Sequence, residues 1–170
     1  MTAYVALLRA VNVGGTGKLA MTDLAAMCED AGFRQVKTYI ASGNVVFTSA
    51  KSETAVKAAL ENALAAYAGK PVGVMVRNAA EMAAIVKANP FPDAPGNRLI
   101  VTFLDTAPPT NALKDARHVT DEQMVLGTRE IFVRYTERMR DSKLAIPAAK
   151  SGTGRNMNTV TKLAEMVAAL

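Results

Sequence analysis

Two stretches of this sequence gather polar side chains in patterns that could do chemistry. The first is Gly14-Gly15-Thr16-Gly17-Lys18, set between an apolar run and a helical pattern, the context in which backbone N–H groups and a lysine cradle phosphate. It is not a Walker A loop, which needs a glycine where Asn12 stands and a Ser or Thr where Leu19 stands. That missing hydroxyl would be the Mg2+ ligand of an ordinary phosphate-loop NTPase. A weaker anion nest using Gly14, Gly15 and Lys18 stays open, beside a plain flexible connection. The second stretch, Thr153-Gly154-Arg155-Asn156-Met157-Asn158-Thr159, places one Arg, two Asn and two Thr ahead of a helical pattern. Asn156 or Asn158 can cap that helix. The other amide, the Thr153 hydroxyl and the forked guanidinium of Arg155 would form an anion site at the positive end of a helix dipole.

Smaller features join these. Arg9 ends a buried run, so it should pair with a carboxylate or reach into a cleft, with Asn12 following in the loop. Ser42-Gly43-Asn44 carries residue types that a hairpin turn demands, with a binding role for Ser42 and Asn44 as the alternative. Lys143 sits in an irregular basic stretch, as a contributor to binding or a solvated lysine. One His and one Cys cannot supply a zinc site. Cys28 falls on the core-facing stripe of a helix, where a buried, inert thiol is expected. No Gly-x-Ser-x-Gly elbow is present. No catalytic residue, metal ligand or cofactor is assigned.

Charge bears on the partner. The chain of 170 residues carries a formal net charge of +5, a mild pointer to an acidic partner. Residues 1 to 88 hold nine basic and six acidic side chains, residues 89 to 128 three and five, and residues 129 to 170 eight and four. The C-terminal third is thus the basic end. With no Trp and only 5% aromatic residues, the core must be aliphatic and stacking platforms are few. The start lacks a signal peptide's basic and apolar regions, no run spans a bilayer, and one Cys makes no internal disulfide. A cytoplasmic protein without membrane contact is expected.

Elements that could position these residues follow from periodicity. Tyr4 to Leu8 reads as a strand buried on both faces. A helix after Thr22 as N-cap carries Leu24, Met27, Cys28 and Ala31 and stops at Gly32. Val36 to Ile40 and Val45 to Thr48 flank a tight type II′ turn. A second helix bearing Val56, Leu60, Leu64 and Tyr67 stops at Gly69, ahead of a strand from Val72 to Val76. The first half, residues 1–77, is therefore β-α-β-β-α-β, the ferredoxin-like unit. The second, residues 78–170, starts with a helix capped by Asn78 and Glu81. It continues with a strand from Leu99 to Leu104, a short helix from Thr110 to Arg117, a hairpin across Gly127 and a C-terminal helix from about Thr159. That order is an incomplete β-α-β-β-α lacking its last strand. Residues 136 to 154 show no periodicity, the mark of a functional or mobile segment. The expected class is α+β, two ferredoxin-like subdomains packed as one domain over 1–170.

Three segments together resemble the domain-of-unknown-function 1697 family: Tyr4 to Gly15 with Lys18 and Met21, Thr38 to Phe47, and Ser142-Lys143-Leu144 followed by Thr153 to Val160 and Lys162-Leu163. Ala10 stands where that family usually has Gly, and Met157 stands for its usual Trp, which removes a large indole. The resemblance implies two ferredoxin-like subdomains packed into one unit and brings no reaction, substrate or cofactor with it.

The functional expectation is therefore a module for a phosphorylated or other anionic ligand, in a cleft lined by the Gly-rich loop and the Arg-Asn turn. Its residues are Arg9, Asn12, Gly14, Gly15, Lys18, Ser42, Asn44, Lys143, Thr153, Arg155, Asn156 and Asn158. The alternatives are an enzyme using the same cleft, a nucleic-acid-binding module and a protein-interaction module. The partner is an anionic small molecule or nucleic acid, and the chain a monomer or homodimer.

Overall fold

The apolar run near the N-terminus forms β1 (Thr2–Leu8), whose last five residues are all buried. It lies at the centre of a sheet in the computed structural model, which describes residues 1–15 and 17–170. Thr16 of the Gly-rich loop lies outside the described residues. The chain divides into two compact units, Met1–Ala83 with Leu163–Leu170, and Ala84–Lys162.

In the first unit β1 is followed by α1 (Met21–Asp30), β2 (Arg34–Thr38), β3 (Asn44–Ser49), α2 (Glu53–Ala68) and β4 (Val74–Asn78). The sheet order is β2-β3-β1-β4, antiparallel throughout, which is the ferredoxin-like arrangement. Leu24 and Cys28 of α1 and Val56, Leu60 and Leu64 of α2 share a core with Ala6, Leu8, Val45, Phe47 and Val76 of the strands. Phe33 stacks on Phe47 with ring centroids 4.4 Å apart. The alternate strand residues Val5, Leu7, Val46, Met75 and Arg77 are buried as well, which explains why β1 reads as one continuous apolar run. Burial at each of these Leu and Val positions contributes about 1.5–3 kcal/mol.

Helix ends follow local chemistry. Ser52 caps α2 by accepting from the Ala55 N–H, and Gly69 closes it in the left-handed region. Asn78 and Glu81 form a reciprocal capping box: each backbone N–H donates to the other's side chain, at 2.9 and 2.8 Å. Thr22 is not the cap of α1. Ala20 takes that place without a side-chain bond, because Leu19 is already fixed by Asn12 and the helix starts directly after it. At the edge strand β4, the Val74 N–H donates to Glu61 and its carbonyl accepts from Lys57. Those two side chains pair at 3.0 Å, so α2 covers the edge groups that would otherwise template another strand.

The turn between β2 and β3 differs from the two-residue II′ expectation. Tyr39 and Asn44 are bonded across it (Tyr39 N to Asn44 O, 2.9 Å), leaving a four-residue loop over 40–43. Ile40, expected at a strand end, instead has φ 50 within that loop. Gly43 has φ 92, and a Cβ there would lie 2.5 Å from Val11 Cγ2. Its carbonyl also accepts from Leu8 N–H at 2.9 Å. The hairpin tip thus closes against the end of β1 only because position 43 has no side chain.

α3 (Ala79–Lys87) carries the chain into the second unit, where β5 (Leu99–Phe103), β6 (Gln123–Leu126), β7 (Glu130–Arg134) and β8 (Thr153–Asn156) precede α4 (Met157–Ala168). The antiparallel order β6-β7-β5-β8 repeats the ferredoxin-like pattern. The final strand expected to be missing is present: β8 pairs with β5 from Ile100↔Asn156 to Phe103↔Thr153. What is reduced is the helical part. The helix expected over Thr110 to Arg117 is a single 3-10 turn, Ala112–Asp115, following Pro108-Pro109.

Residues 136 to 154 are laced down rather than loose. Glu122 accepts from the Ser142 hydroxyl and from the N–H and hydroxyl of Thr120. Thr136 donates to Asp121 at 2.7 Å, and Arg117 and Ala145 exchange backbone bonds at 2.8 and 3.0 Å. Among the described residues the architecture is α+β, two four-stranded antiparallel sheets with four α-helices. No helix among the described residues is long and apolar enough to cross a membrane.

Gly43→Ala should cost about 2 kcal/mol or more, since it forces both a left-handed Ala and a clash with Val11. Urea unfolding of the variant against the parent reads that cost.

Candidate functional site

In the first unit the chain leaving β1 enters a tightly determined loop. Ala10 has φ 57, Asn12 φ 54, Gly14 φ 57, Gly15 φ 78 and Gly17 φ 62, so the described residues of the loop pass repeatedly through the left-handed region. Gly17 fits because a Cβ there would come 2.6 Å from the Ala10 carbonyl oxygen. Asn12 holds the loop shut. Its amide donates to Leu19 O at 2.9 Å and Ala41 O at 2.7 Å, and accepts from Leu19 N–H at 2.8 Å. Its backbone N–H donates to Gly17 O at 2.9 Å. One side chain therefore ties both ends of the Gly-rich loop to the hairpin loop.

Beside this loop lies an open cleft of about 490 Å³. Arg9 and Lys18 line it from the loop side, and Lys70 lines it from the segment after α2. All three cations are exposed. Val11, Leu19, Leu64 and Val72 give it an apolar wall, and Tyr67 of α2 lies at its edge, 48% exposed. Among the described residues no Asp or Glu lines it. The Tyr67 hydroxyl donates to Asp23 Oδ2 at 2.9 Å. That bond, before any other cause, raises the phenol above its ordinary pKa, so the ring stays protonated. Arg9 is seated by its backbone N–H on Gly73 O at 2.9 Å, and a Cβ added at Gly73 would lie 3.6 Å from its stem.

The remaining expected residues are placed as follows. Gly14 and Gly15 are exposed and outside the cleft's lining. Asn44 is fully buried and its amide donates to Tyr39 O and Ser42 Oγ, both at 3.0 Å, so Ser42 and Asn44 build the hairpin. Lys143, Thr153, Arg155, Asn156 and Asn158 belong to the second unit. What reads in the sequence as an Arg-Asn turn is strand β8 and a helix cap: Asn156 Oδ1 accepts from Thr159 N–H at 2.9 Å. Arg155 is 7% exposed, and its Nη1 donates to Thr153 Oγ1 at 2.7 Å and Gly154 O at 2.9 Å. Burial pulls its pKa down to about 10, so it stays charged at neutral pH. Asn158 is exposed with its amide directly over Gly96, and Lys143 is exposed.

Tyr67 and Lys70 are cleft residues that the sequence reading missed. Their only local signal is the Gly69 helix stop, which turns the chain back at that point. Cys28 is fully buried, and burial pushes its thiol up to about 12, an inert side chain at neutral pH. Among the described residues no three His, Cys, Asp or Glu come together as a metal site.

A family model described as protein of unknown function (DUF1697) matches residues 1–132. The chain belongs to that family. The matched residues include every cleft residue named above, whereas Lys143, Thr153, Arg155, Asn156 and Asn158 lie beyond residue 132. Among solved structures, this DUF1697 chain is similar to the conserved bacterial protein SP0830 from Streptococcus pneumoniae. The TM-score is 0.81 over 98% of each chain at 24% sequence identity, a likeness of fold. Comparison with curated proteins gives no match.

The geometry makes the loop's stability measurable. Ala10→Gly relieves a left-handed alanine and should stabilise by about 0.5–1 kcal/mol. Asn12→Ala should cost about 2 kcal/mol or more by leaving Leu19 and Ala41 without their partners. Both are read by urea unfolding.

In the second unit, hydrogen bonds from Ser142 first, then Thr120, hold Glu122 down at about 2, against an ordinary 4.5. Its folded pKa is depressed, so its contribution is present above pH 4.5 and lost as pH falls toward 2. Glu122→Gln should therefore lose less stability than the parent between pH 6 and pH 3 in urea titrations.

Proposed function

We propose that this protein binds a phosphorylated small molecule in the cleft of its first unit, with Arg9, Lys18 and Lys70 as the anion-facing groups. The observation that carries the reading is three exposed cations lining one cavity that has, among the described residues, no acidic side chain in its lining. Such a cleft focuses a positive potential and attracts anions. A volume of about 490 Å³ is the size of a small-molecule site, which favours a metabolite over a nucleic-acid strand. The left-handed backbone at Ala10, Asn12 and Gly17 fixes Lys18 relative to Arg9 before any ligand arrives, which lowers the ordering cost of binding.

Arg155 does not enter this reading as a ligand group, since its guanidinium is buried and donates to Thr153 and Gly154. Tyr67, which lines the cleft with the cations, is a protonated phenol and a poor general base, so binding is proposed without an accompanying reaction. The single, buried thiol of Cys28 suits a cytoplasmic setting, and a monomer or homodimer would leave the cleft equally usable.

Isothermal titration with pyrophosphate at low ionic strength tests the proposal. Binding is expected in the parent, with affinity falling as salt rises. Lys18→Ala and Lys70→Ala are each expected to weaken it roughly tenfold, the worth of a charge-assisted contact. No heat of binding in the parent, or an unchanged affinity in the double variant, would remove the proposal.

A further inference from the structure

The cleft has a second chemical character that a bare anion does not use. Its lining includes the apolar residues Val11, Leu19, Leu64 and Val72 beside the ring of Tyr67. Tyr67 is the one aromatic among the exposed large hydrophobic residues, at 48%, while Tyr4, Phe33, Phe47, Phe103 and Phe132 are buried. An exposed aromatic is ordinarily free to turn, but this one is held by its hydroxyl on Asp23 at 2.9 Å. A fixed, wettable ring beside three cations is the arrangement on which a planar base stacks.

The polar inventory narrows the ligand further. Among the described residues, the lining holds no carboxylate, no carboxamide and no Ser or Thr hydroxyl. A phosphosugar would rely on backbone groups for its hydroxyls and leave the Tyr67 ring unused. A ligand with a charged end and a flat, weakly polar body meets both halves of the wall.

We infer that the cleft takes a nucleoside phosphate, with its phosphates on Arg9, Lys18 and Lys70 and its base on the ring of Tyr67. This assignment rests on the anion-binding reading above and adds the identity of the ligand's other end. The aromatic platform is worth roughly tenfold in affinity over the phosphates alone.

The test is isothermal titration of the full chain with ATP, pyrophosphate and ribose 5-phosphate, in the parent and in Tyr67→Ala and Tyr67→Phe. ATP is expected to bind at least tenfold more tightly than pyrophosphate, and ribose 5-phosphate more weakly than either. Tyr67→Ala should abolish the advantage of ATP while leaving pyrophosphate affinity within twofold. Tyr67→Phe, which keeps the ring, should retain most of it. Equal affinities for ATP and pyrophosphate in the parent overturn the nucleoside assignment and leave the anion site standing. So does ribose 5-phosphate matching ATP, or a Tyr67→Ala variant that still prefers ATP. Binding of none of the three overturns both readings.

Discussion

The first unit depends on the side-chain amide of Asn12. Its three hydrogen bonds join Leu19, where α1 is about to begin, to Ala41 in the β2–β3 loop, so two loops that end far apart in sequence share one fixed point. The residue is well suited to this, because Asn tolerates a left-handed φ better than most side chains and offers a donor and an acceptor on a short stem. The backbone around it is strained: Ala10 and the β-branched Ile40 both sit at positive φ, 57 and 50. Such residues persist only where surrounding contacts over-determine them. Here the Asn12 clamp and the Gly43 contact against β1 do that. The same constraint places Arg9 and Lys18 on one cavity wall, so loop strain and ligand geometry have a common origin.

The two candidate anion motifs separate by solvation. Arg155 is desolvated, and its donors meet a hydroxyl and a carbonyl of its own strand. Its removal would disturb β8. Arg9, Lys18 and Lys70 are exposed at the cleft, where a phosphate oxygen can take the place of hydration water. Polarity alone does not tell these cases apart. A dense polar segment next to a helix is as readily a strand with inward polar groups and an N-cap as a binding turn.

Much of the fold was legible in the residues. The strand and helix order of the first unit follows from apolar spacing and from caps at Ser52, Gly69, Asn78 and Glu81, all of which act locally. β8 was not legible, because its inward positions are Thr153 and Arg155 rather than aliphatic residues, so the period of two carries no hydrophobic signal. The 3-10 turn over Ala112–Asp115 was misjudged because helix propensity there lacks an apolar face long enough to be packed. At the cleft, Arg9 and Lys18 were visible as neighbours in sequence. Lys70 and Tyr67 are more than forty positions away and arrive only because α2 runs the length of the sheet to Gly69. Convergence of that kind is a product of tertiary structure and leaves no local trace.

The absence of acid from the cleft is maintained by the elements around it. Asp23 lies on α1 and accepts from Tyr67. Glu61, one turn before Leu64 on α2, is committed to Lys57 and to the Val74 N–H. Both carboxylates are held by contacts that also stabilise the fold: one joins α1 to α2, the other closes the β4 edge. The positive field of the cleft and the stability of its walls are consequently set by the same bonds. The electrostatics of the site extend beyond the residues that line it, since the Asp23 carboxylate acts on the cleft through Tyr67.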